Sequence, residues 1–193
     1  MARIFLAIDL PKDLIKAVEK EQLKWMETGA GVKWVSPNQI HLTLKFIGEI
    51  AEARLKQLIE ATEQICKQIQ SFPLSLEGTG AFPSPKRPKV FWLGVAGDLD
   101  MLHSLQESIE SGLEKVGFPR ENRKFSPHIT IARTKREKRL TELLRQMVAS
   151  QLPSTNFDVK EVVIYQSILG PEGPKYIPLA RCPLATFIAE TPK

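Results

Sequence analysis

Apolar residues recur along the chain with two different periods, which predict helices alternating with strands. Four stretches have the i, i+3, i+4, i+7 spacing of an amphipathic helix, beginning at Pro11, near Leu55, after Asp98 and at Thr134. Pro11 suits the first helical position, and Asp98 is an expected N-cap. Thr134 and Glu137 have the spacing of a capping box. These patterns predict four helices.

Shorter runs that are rich in Val, Ile, Phe and Tyr lie between the helices and predict strands. Seven such runs are bounded by Pro and Gly clusters: Ile4–Leu10, His41–Ile47, Leu74–Leu76, Val90–Val95, His128–Ala132, Val159–Ile168 and Tyr176–Leu179. The Pro-rich segment Gly78–Pro88 predicts a loop between two halves. The sequence therefore predicts an α+β protein forming one bilobal domain over residues 1–193.

The order of these elements repeats along the chain. Ile4 and His41 are 37 residues apart, and Val90 and His128 are 38 residues apart. In each case the first residue begins the first strand, and the histidine begins the second strand, of a strand, helix, strand, helix, strand series. We therefore predict an internal duplication with repeats of about 1–84 and 88–180, related by a pseudo-twofold axis.

Two of the three histidines begin a His-apolar-Thr-apolar tetrapeptide, at His41–Leu44 and His128–Ile131. In a strand, the period of two puts His and Thr on one face and the aliphatic residues on the other. A single tetrapeptide of this kind is more simply interpreted as the solvent-exposed face of an amphipathic strand. Its occurrence at equivalent positions of two repeats instead predicts that both imidazoles meet in a central groove.

Paired imidazoles suit general acid–base catalysis on a phosphodiester. The ordinary pKa of histidine is about 6.5, so one ring can be protonated while the other is neutral. The hydroxyls of Thr43 and Thr130 can donate to phosphate oxygens. A metal site is disfavoured because two imidazoles need further ligands, and no HExxH motif or suitably spaced carboxylate supplies them. We expect no metal and no other cofactor.

The segments KWVSPNQIHLTLKFIGE and KFSPHITIAR resemble the two signature segments of the 2H phosphoesterase superfamily. The start RIFLAIDLP is similar to that of the RNA 2′,3′-cyclic phosphodiesterases, historically called 2′-5′ RNA ligases. The resemblance covers nearly the whole chain. It implies two antiparallel sheets flanked by helices, with a groove between the lobes. It also implies hydrolysis of a 2′,3′-cyclic phosphate at an RNA 3′ end to a 2′-phosphate.

The resemblance assigns roles to individual residues. It implies that His41 is the proton donor and His128 the proton acceptor. Thr43 and Thr130 would bind the phosphate. From the residues alone, the pseudo-symmetry makes the two histidines nearly equivalent.

Three further residues are candidates for substrate binding. The resemblance implies that Arg133 contacts phosphate, although strict alternation puts it opposite the second histidine unless the strand ends or bulges. Lys45 has the parity of the first motif's His and Thr, and is expected beside the phosphate path. Phe46 has the opposite parity, so core packing and base stacking at the groove mouth both stay open.

Positive charge is concentrated around the second motif. The chain has a formal net charge of +5, and residues 120–139 hold eight Lys or Arg and two Glu. Four of these cations, Lys135, Arg136, Lys138 and Arg139, are expected at a helix N-terminus, where the helix dipole disfavours them. This local cost favours a role in binding an RNA backbone.

Other features narrow the setting. The two cysteines form no CxxC pair, the opening apolar run is too short for a signal peptide, and no apolar stretch is long enough to cross a membrane. We expect a cytoplasmic monomer that acts on RNA and has no membrane partner. Two alternatives remain: a nucleotide- or RNA-binding module without turnover, and 2′-5′ RNA end joining by the reverse reaction.

Overall fold

The computed structural model describes residues 1–150, 152, 156–171 and 173–186, so the end of the predicted domain, 187–193, lies outside the described residues. The helices are α1 (Lys12–Met26), α2 (Leu55–Cys66), α3 (Leu99–Lys115) and α4 (Leu140–Ala149). The strands are β1 (Ala2–Asp9), β2 (Val32–Trp34), β3 (His41–Ile50), β4 (Phe72–Phe82), β5 (Val90–Gly97), β6 (His128–Thr134), β7 (Phe157–Val159), β8 (Glu161–Gly170) and β9 (Gly173–Pro183).

The strands form one strongly curled antiparallel sheet. Its order is β7-β4-β5-β6-β3-β1-β8-β9, and β2 pairs with the end of β6. The two halves meet between β3 and β6, where Leu42 lies opposite Ile129. The predicted α+β class, with antiparallel strands in two lobes flanked by helices, is confirmed. The resemblance implied two sheets, whereas the Leu42–Ile129 pair joins the two halves into one sheet.

The strand order is symmetric about the β3–β6 contact. On one side β1 lies between β3 and β8, and on the other side β5 lies between β6 and β4. The last strand of each predicted repeat, β4 or β8, therefore lies in the half of the sheet built by the other repeat. The duplication itself stays a prediction.

The aliphatic residues of the two tetrapeptides lie in the core, as their period of two predicts. Leu42, Leu44, Ile129 and Ile131 are buried, together with the inward faces of the four helices. Burying one such side chain stabilises the fold by about 1.5–3 kcal/mol. The opposite face of the same strands carries the half-buried histidines and threonines.

The start of α4 differs from the sequence prediction. Thr134 ends β6 and its hydroxyl donates to the Pro88 carbonyl at 2.7 Å, so it caps no helix. The backbone N–H groups of Lys135 and Arg136 donate to the Gly31 carbonyl, and α4 begins only at Leu140. The predicted capping box is wrong because pairing with β2 extends β6. Of the four cations expected at the helix N-terminus, only Arg139 lies at the N-cap.

Smaller differences concern the ends of other elements and one short strand. Pro11 is the N-cap of α1 rather than its first helical residue, whereas Asp98 caps α3 as predicted by accepting from the Met101 N–H at 3.0 Å. The predicted loop Gly78–Pro88 is partly strand, because β4 continues to Phe82. Sequence analysis missed the three-residue strand β2.

In the described part of the chain, no helix is both long and apolar enough to cross a membrane.

Candidate functional site

The register between β3 and β6 brings the two motifs together. Because the strands are antiparallel with Leu42 opposite Ile129, continuing the register by one residue pairs His41 with Thr130 and Thr43 with His128. All four side chains point away from the buried aliphatic face. The two histidines are diagonal neighbours, for which the spacing between residues is about 7–8 Å and the Cβ atoms lie somewhat closer. The two imidazoles therefore lie near each other on this face of the sheet.

Both imidazoles are held by the same backbone interaction. Nδ1 of His41 lies 2.7 Å from the Gln39 carbonyl oxygen, and Nδ1 of His128 lies 2.7 Å from the Ser126 carbonyl oxygen. A carbonyl oxygen only accepts, so each Nδ1 carries the hydrogen. Nε2 is therefore the nitrogen of each ring that can take or give a proton.

Aromatic rings enclose His41. The centroid of its ring lies 4.9 Å from that of Phe5, 5.3 Å from that of Tyr176 and 6.4 Å from that of Tyr165. Burial among these rings lowers the pKa of His41 from its ordinary value, while the bond to Gln39 and the nearby Asp9 carboxylate act in the opposite direction.

Asp9 lies directly opposite His41 in the β1–β3 pairing. Its carboxylate accepts from the Tyr165 hydroxyl at 2.7 Å and from Arg181 Nη2 at 3.2 Å. Arg181 also pairs with Glu161. Asp9 and Tyr165 are site residues that sequence analysis missed. The signal for Asp9 was a carboxylate directly after the apolar run Ile4–Ile8, which could be interpreted only once its partner strand was known.

The surroundings of His128 are different. One ring, Phe82, meets it edge-on with centroids 5.0 Å apart and planes at 85°. The residue opposite His128 is Gly94, and the residue opposite Thr130 is Trp92. The position that holds a carboxylate beside the first histidine therefore holds no side chain beside the second.

A β-bulge follows the threonine in each motif. In β3 the register shifts between Thr43 and Lys45, and in β6 it shifts between Thr130 and Ala132. Each shift inserts one extra residue and reverses the parity of the residues beyond it. The bulge that a role for Arg133 required is thus present.

The parity reversal brings two candidate residues to the histidine face. The Phe46 side chain is exposed and its ring centroid lies 6.1 Å from that of Phe5. Arg133 is also exposed, and burial raises the pKa of Tyr176 while the charges of Arg133 and Arg3 act against that rise. The charge of Arg133 therefore acts on the tyrosine ring that lies edge-on to His41.

The structure contradicts the prediction for Lys45. Its side chain is buried on the helix side of the sheet, where Nζ pairs with Glu110 and donates to the Pro119 carbonyl at 2.8 Å. Glu110 also accepts from the Glu121 N–H, and Glu121 accepts from the Phe46 N–H. Lys45 is therefore not beside the phosphate path: the bulge turns it toward α3, where it fixes the loop that leads to the second motif.

The two cysteines, and the side chains that could bind a metal, lie outside the histidine site or form no cluster in the described residues. Cys66 and Cys182 are free and buried, and burial raises the pKa of Cys66 to about 12. Within the described ranges, no three His, Cys, Asp or Glu side chains come close enough to hold a metal ion. The expected absence of a metal stays a prediction.

Comparisons with known proteins match nearly the whole chain. A family model described as the 2′-5′ RNA ligase superfamily matches residues 11–170. An RNA 2′,3′-cyclic phosphodiesterase from Archaeoglobus fulgidus is 35% identical over 175 residues, which are 90% of this chain and 96% of the relative. The crystal structure of TT0787 of Thermus thermophilus is similar with a TM-score of 0.78 and 28% identity, covering 95% of this chain and 98% of that one. That of E. coli LigT complexed with 3′-AMP has a TM-score of 0.75 and 29% identity, with the same coverage.

Proposed function

This chain belongs to the 2′-5′ RNA ligase superfamily, in agreement with its 2H phosphoesterase motifs. We propose that it hydrolyses a 2′,3′-cyclic phosphate at an RNA 3′ end to a 2′-phosphate. The observation that carries this proposal is the meeting of two His-Thr pairs on one face of the sheet, with Nδ1 of each ring bonded to a carbonyl. Relatives named RNA 2′,3′-cyclic phosphodiesterase support it.

The two imidazoles would act on opposite sides of the phosphorus. Nε2 of His128 accepts a proton from water, and the water oxygen forms a bond to phosphorus. The bond from phosphorus to O3′ breaks as Nε2–H of His41 donates its proton to that oxygen. One proton is taken and one is given, so the product is the 2′-phosphate with a free 3′-hydroxyl. Each proton transfer contributes about 10²–10⁴-fold in rate.

The remaining groups of the site would bind the phosphate and the nucleoside. The hydroxyls of Thr43 and Thr130 donate to its non-bridging oxygens, where negative charge increases in the transition state. Arg133 contributes a fixed positive charge on the same face. The exposed ring of Phe46 offers a surface on which the terminal base can stack.

The assignment of donor and acceptor follows what the family resemblance implies, and one difference between the two halves supports it. The Asp9 carboxylate opposite His41 stabilises its protonated form, whereas Gly94 opposite His128 supplies no charge. Burial outweighs this effect in the free protein, so the pKa of His41 is lowered from its ordinary value. A bound phosphate adds a negative charge beside His41, so substrate binding promotes protonation of the donor.

Hydrolysis of a 2′,3′-cyclic nucleotide or an RNA with a cyclic end tests the proposal directly. We expect 2′-phosphate as the product, no effect of EDTA, and a loss of at least 100-fold in kcat for His41→Ala and for His128→Ala with folding retained. The exposed histidine gives a matched control, His103→Ala, which should keep full activity. Full activity in either site variant would contradict the mechanism. Nucleotide binding without turnover would instead indicate the binding module.

The same groups can act in reverse, which is the second candidate function. A 5′-hydroxyl in place of water would attack the cyclic phosphate, giving a 2′-5′ linkage between RNA ends. The description of the matching family favours testing it. Incubating the protein with RNA halves that carry 5′-hydroxyl and 2′,3′-cyclic ends measures the joined product against the hydrolysed one.

A further inference from the structure

Two segments distant in sequence bring eight cationic side chains to the end of β6. They are Lys86, Arg87, Lys89, Arg133, Lys135, Arg136, Lys138 and Arg139. The two segments, 86–89 and 133–139, contain one acidic residue, Glu137. We call this group the β6-end cluster. Such a concentration of like charge raises the electrostatic potential for an anionic ligand.

The scaffold under the cluster is fixed by backbone hydrogen bonds. The Thr134 N–H donates to the Lys89 carbonyl at 2.9 Å, and the Thr134 hydroxyl donates to the Pro88 carbonyl at 2.7 Å. The Lys89 N–H donates to the Phe82 carbonyl at 2.7 Å. The loop between β4 and β5 is therefore attached to the end of β6, and its cations keep a defined position beside those that follow β6.

The cations of the cluster are not held in direct ion pairs, although the charges of Arg139 and Glu142 act on each other. Within the part of the chain that the structure describes, none of its eight cations forms an ion pair, whereas Arg120, Arg145 and Arg181 each do. Eight crowded cations repel one another, so this arrangement is destabilising unless an anion occupies it.

Four of the eight cations line an open cleft that ends at a helix N-terminus. The cleft has a volume of about 880 Å³, and its lining includes Lys86, Arg87, Lys89 and Arg139 together with one carboxylate, that of Glu137. Arg139 is the N-cap of α4 and has a positive φ of 51°, a conformation uncommon for residues other than glycine. No side chain caps this helix, so its first N–H groups are available to an anion.

We propose that this cleft binds the phosphate backbone of the RNA substrate on the 5′ side of its cyclic end. The inference rests on the proposed function and extends it. His128 and Thr134 are the two ends of β6, about 20 Å apart at about 3.3 Å per residue. A mononucleotide at the histidines does not reach the cleft, whereas a longer strand that passes Arg133 does. The preferred substrates are therefore oligonucleotides.

Removing three cations from the cleft tests this inference. The triple variant Lys86→Gln, Arg87→Gln, Lys89→Gln changes no residue of the proposed catalytic site. The matched control is Lys12→Gln, Lys16→Gln, Lys20→Gln on α1, where the lysines are equally exposed and the change in charge is the same. For each protein, kcat/KM is measured as a function of salt on a 2′,3′-cyclic mononucleotide and on an oligonucleotide with a cyclic end.

We expect the cleft variant to lose at least 10-fold in kcat/KM on the oligonucleotide at low salt, and to stay within 2-fold on the mononucleotide. The slope of log affinity against log salt should decrease in magnitude by about 2, at about 0.7 for each lost phosphate contact. The control should match the unmodified protein on both substrates. Equal losses on both substrates, or equal salt slopes in the cleft variant and the control, would overturn the proposal.

A direct binding measurement separates this inference from the proposed function. Fluorescence anisotropy with an oligonucleotide that ends in a 2′-phosphate reports binding without any turnover. Cleft-dependent binding in a protein that does not hydrolyse cyclic ends would support the cleft and reject the hydrolase. Hydrolysis together with unchanged oligonucleotide binding in the cleft variant would reject the cleft and retain the hydrolase.

Discussion

The two halves of the site have the same backbone arrangement and the same His-Thr pair, but the side chains around each pair differ. In both, a histidine Nδ1 bonds a carbonyl two residues earlier, and a bulge follows the threonine. Their neighbours differ: Asp9 is opposite the first histidine and Gly94 is opposite the second. The comparison shows how a symmetric frame can position two equivalent groups while unequal neighbours give them different chemical roles.

The bulges extend the comparison to residues outside the motifs. The residue after each bulge is Lys45 in one half and Ala132 in the other, and both are buried. The next residues, Phe46 and Arg133, are both exposed. One half therefore presents an aromatic surface and the other a cation, which are the groups that a base and a phosphate require.

The largest expected effect separates the two histidines by role. On an aryl phosphodiester, nitrophenolate leaves without needing a proton, so loss of the acid is tolerated and loss of the base is not. We expect His41→Ala to recover at least 10-fold of its lost activity on this substrate relative to the cyclic nucleotide. His128→Ala should recover nothing. The opposite pattern of recovery in kcat would show that the roles are reversed.

The second prediction concerns the buried pair that only one half contains. Lys45→Ala leaves the Glu110 carboxylate buried without its partner, so the free energy of unfolding should fall by about 3–5 kcal/mol. Replacing both residues, as in Lys45→Met with Glu110→Leu, should restore most of that stability. Urea unfolding followed by circular dichroism measures both values. Equal destabilisation in the single and double variants would contradict this account of the pair.

A smaller effect is expected from removing the charge opposite His41. Asp9→Asn keeps a partner for the Tyr165 hydroxyl but no longer stabilises the protonated imidazole, so the pKa of His41 should decrease further. We expect kcat to fall about 10-fold, which corresponds to about 1.4 kcal/mol, with the high-pH limb of the kcat profile at lower pH.

Glu161→Gln is the matched control for Asp9, because Glu161 pairs with the same Arg181 and is not the residue opposite His41. It should leave the pH profile unchanged. If both variants moved the profile equally, Asp9 would act only through the surface network. If neither did, Asp9 would have no part in setting the charge of the donor.

Local periodicity predicted the face of every motif residue up to each bulge and failed beyond it. His41 and Thr43 share a face, as do His128 and Thr130, because two strands alternate regularly there. The prediction that Lys45 lies beside the phosphate path was wrong because no sequence signal marks a one-residue bulge, whose position depends on the partner strand. The resemblance indicated Arg133, and alternation alone could not explain how it reached the site.

Tertiary pairing overrode local signals elsewhere. The spacing of Thr134 and Glu137 favours a capping box, yet Thr134 is in β6 because β2 offers it a partner strand. β2 itself has three residues, too few to show a period. The asymmetry between Asp9 and Gly94 was equally hidden, since it depends on which residues of β1 and β5 lie opposite the motifs. Sequence thus predicted the elements and the motif faces, while pairing determined the neighbours.

The smallest predicted effect is a shift in the protonation of His41 on ligand binding. In the free protein burial places its pKa below the ordinary 6.5, so a proton needed for catalysis is largely absent at neutral pH. A bound phosphate adds negative charge beside the ring and should raise that pKa. The high-pH limb of kcat, which reports the complex, should then lie at higher pH than that of kcat/KM. NMR titration of His41 with and without inorganic phosphate measures the shift directly, with His103 as an internal reference.

Because the folded pKa lies below the unfolded one, His41 stabilises the fold above about pH 6.5 and loses that contribution as the pH falls toward its folded pKa. A His41 pKa at or above 6.5 in the free protein would contradict this prediction. It would show that the Asp9 carboxylate outweighs burial, and that the charge opposite the first histidine alone makes the two halves differ.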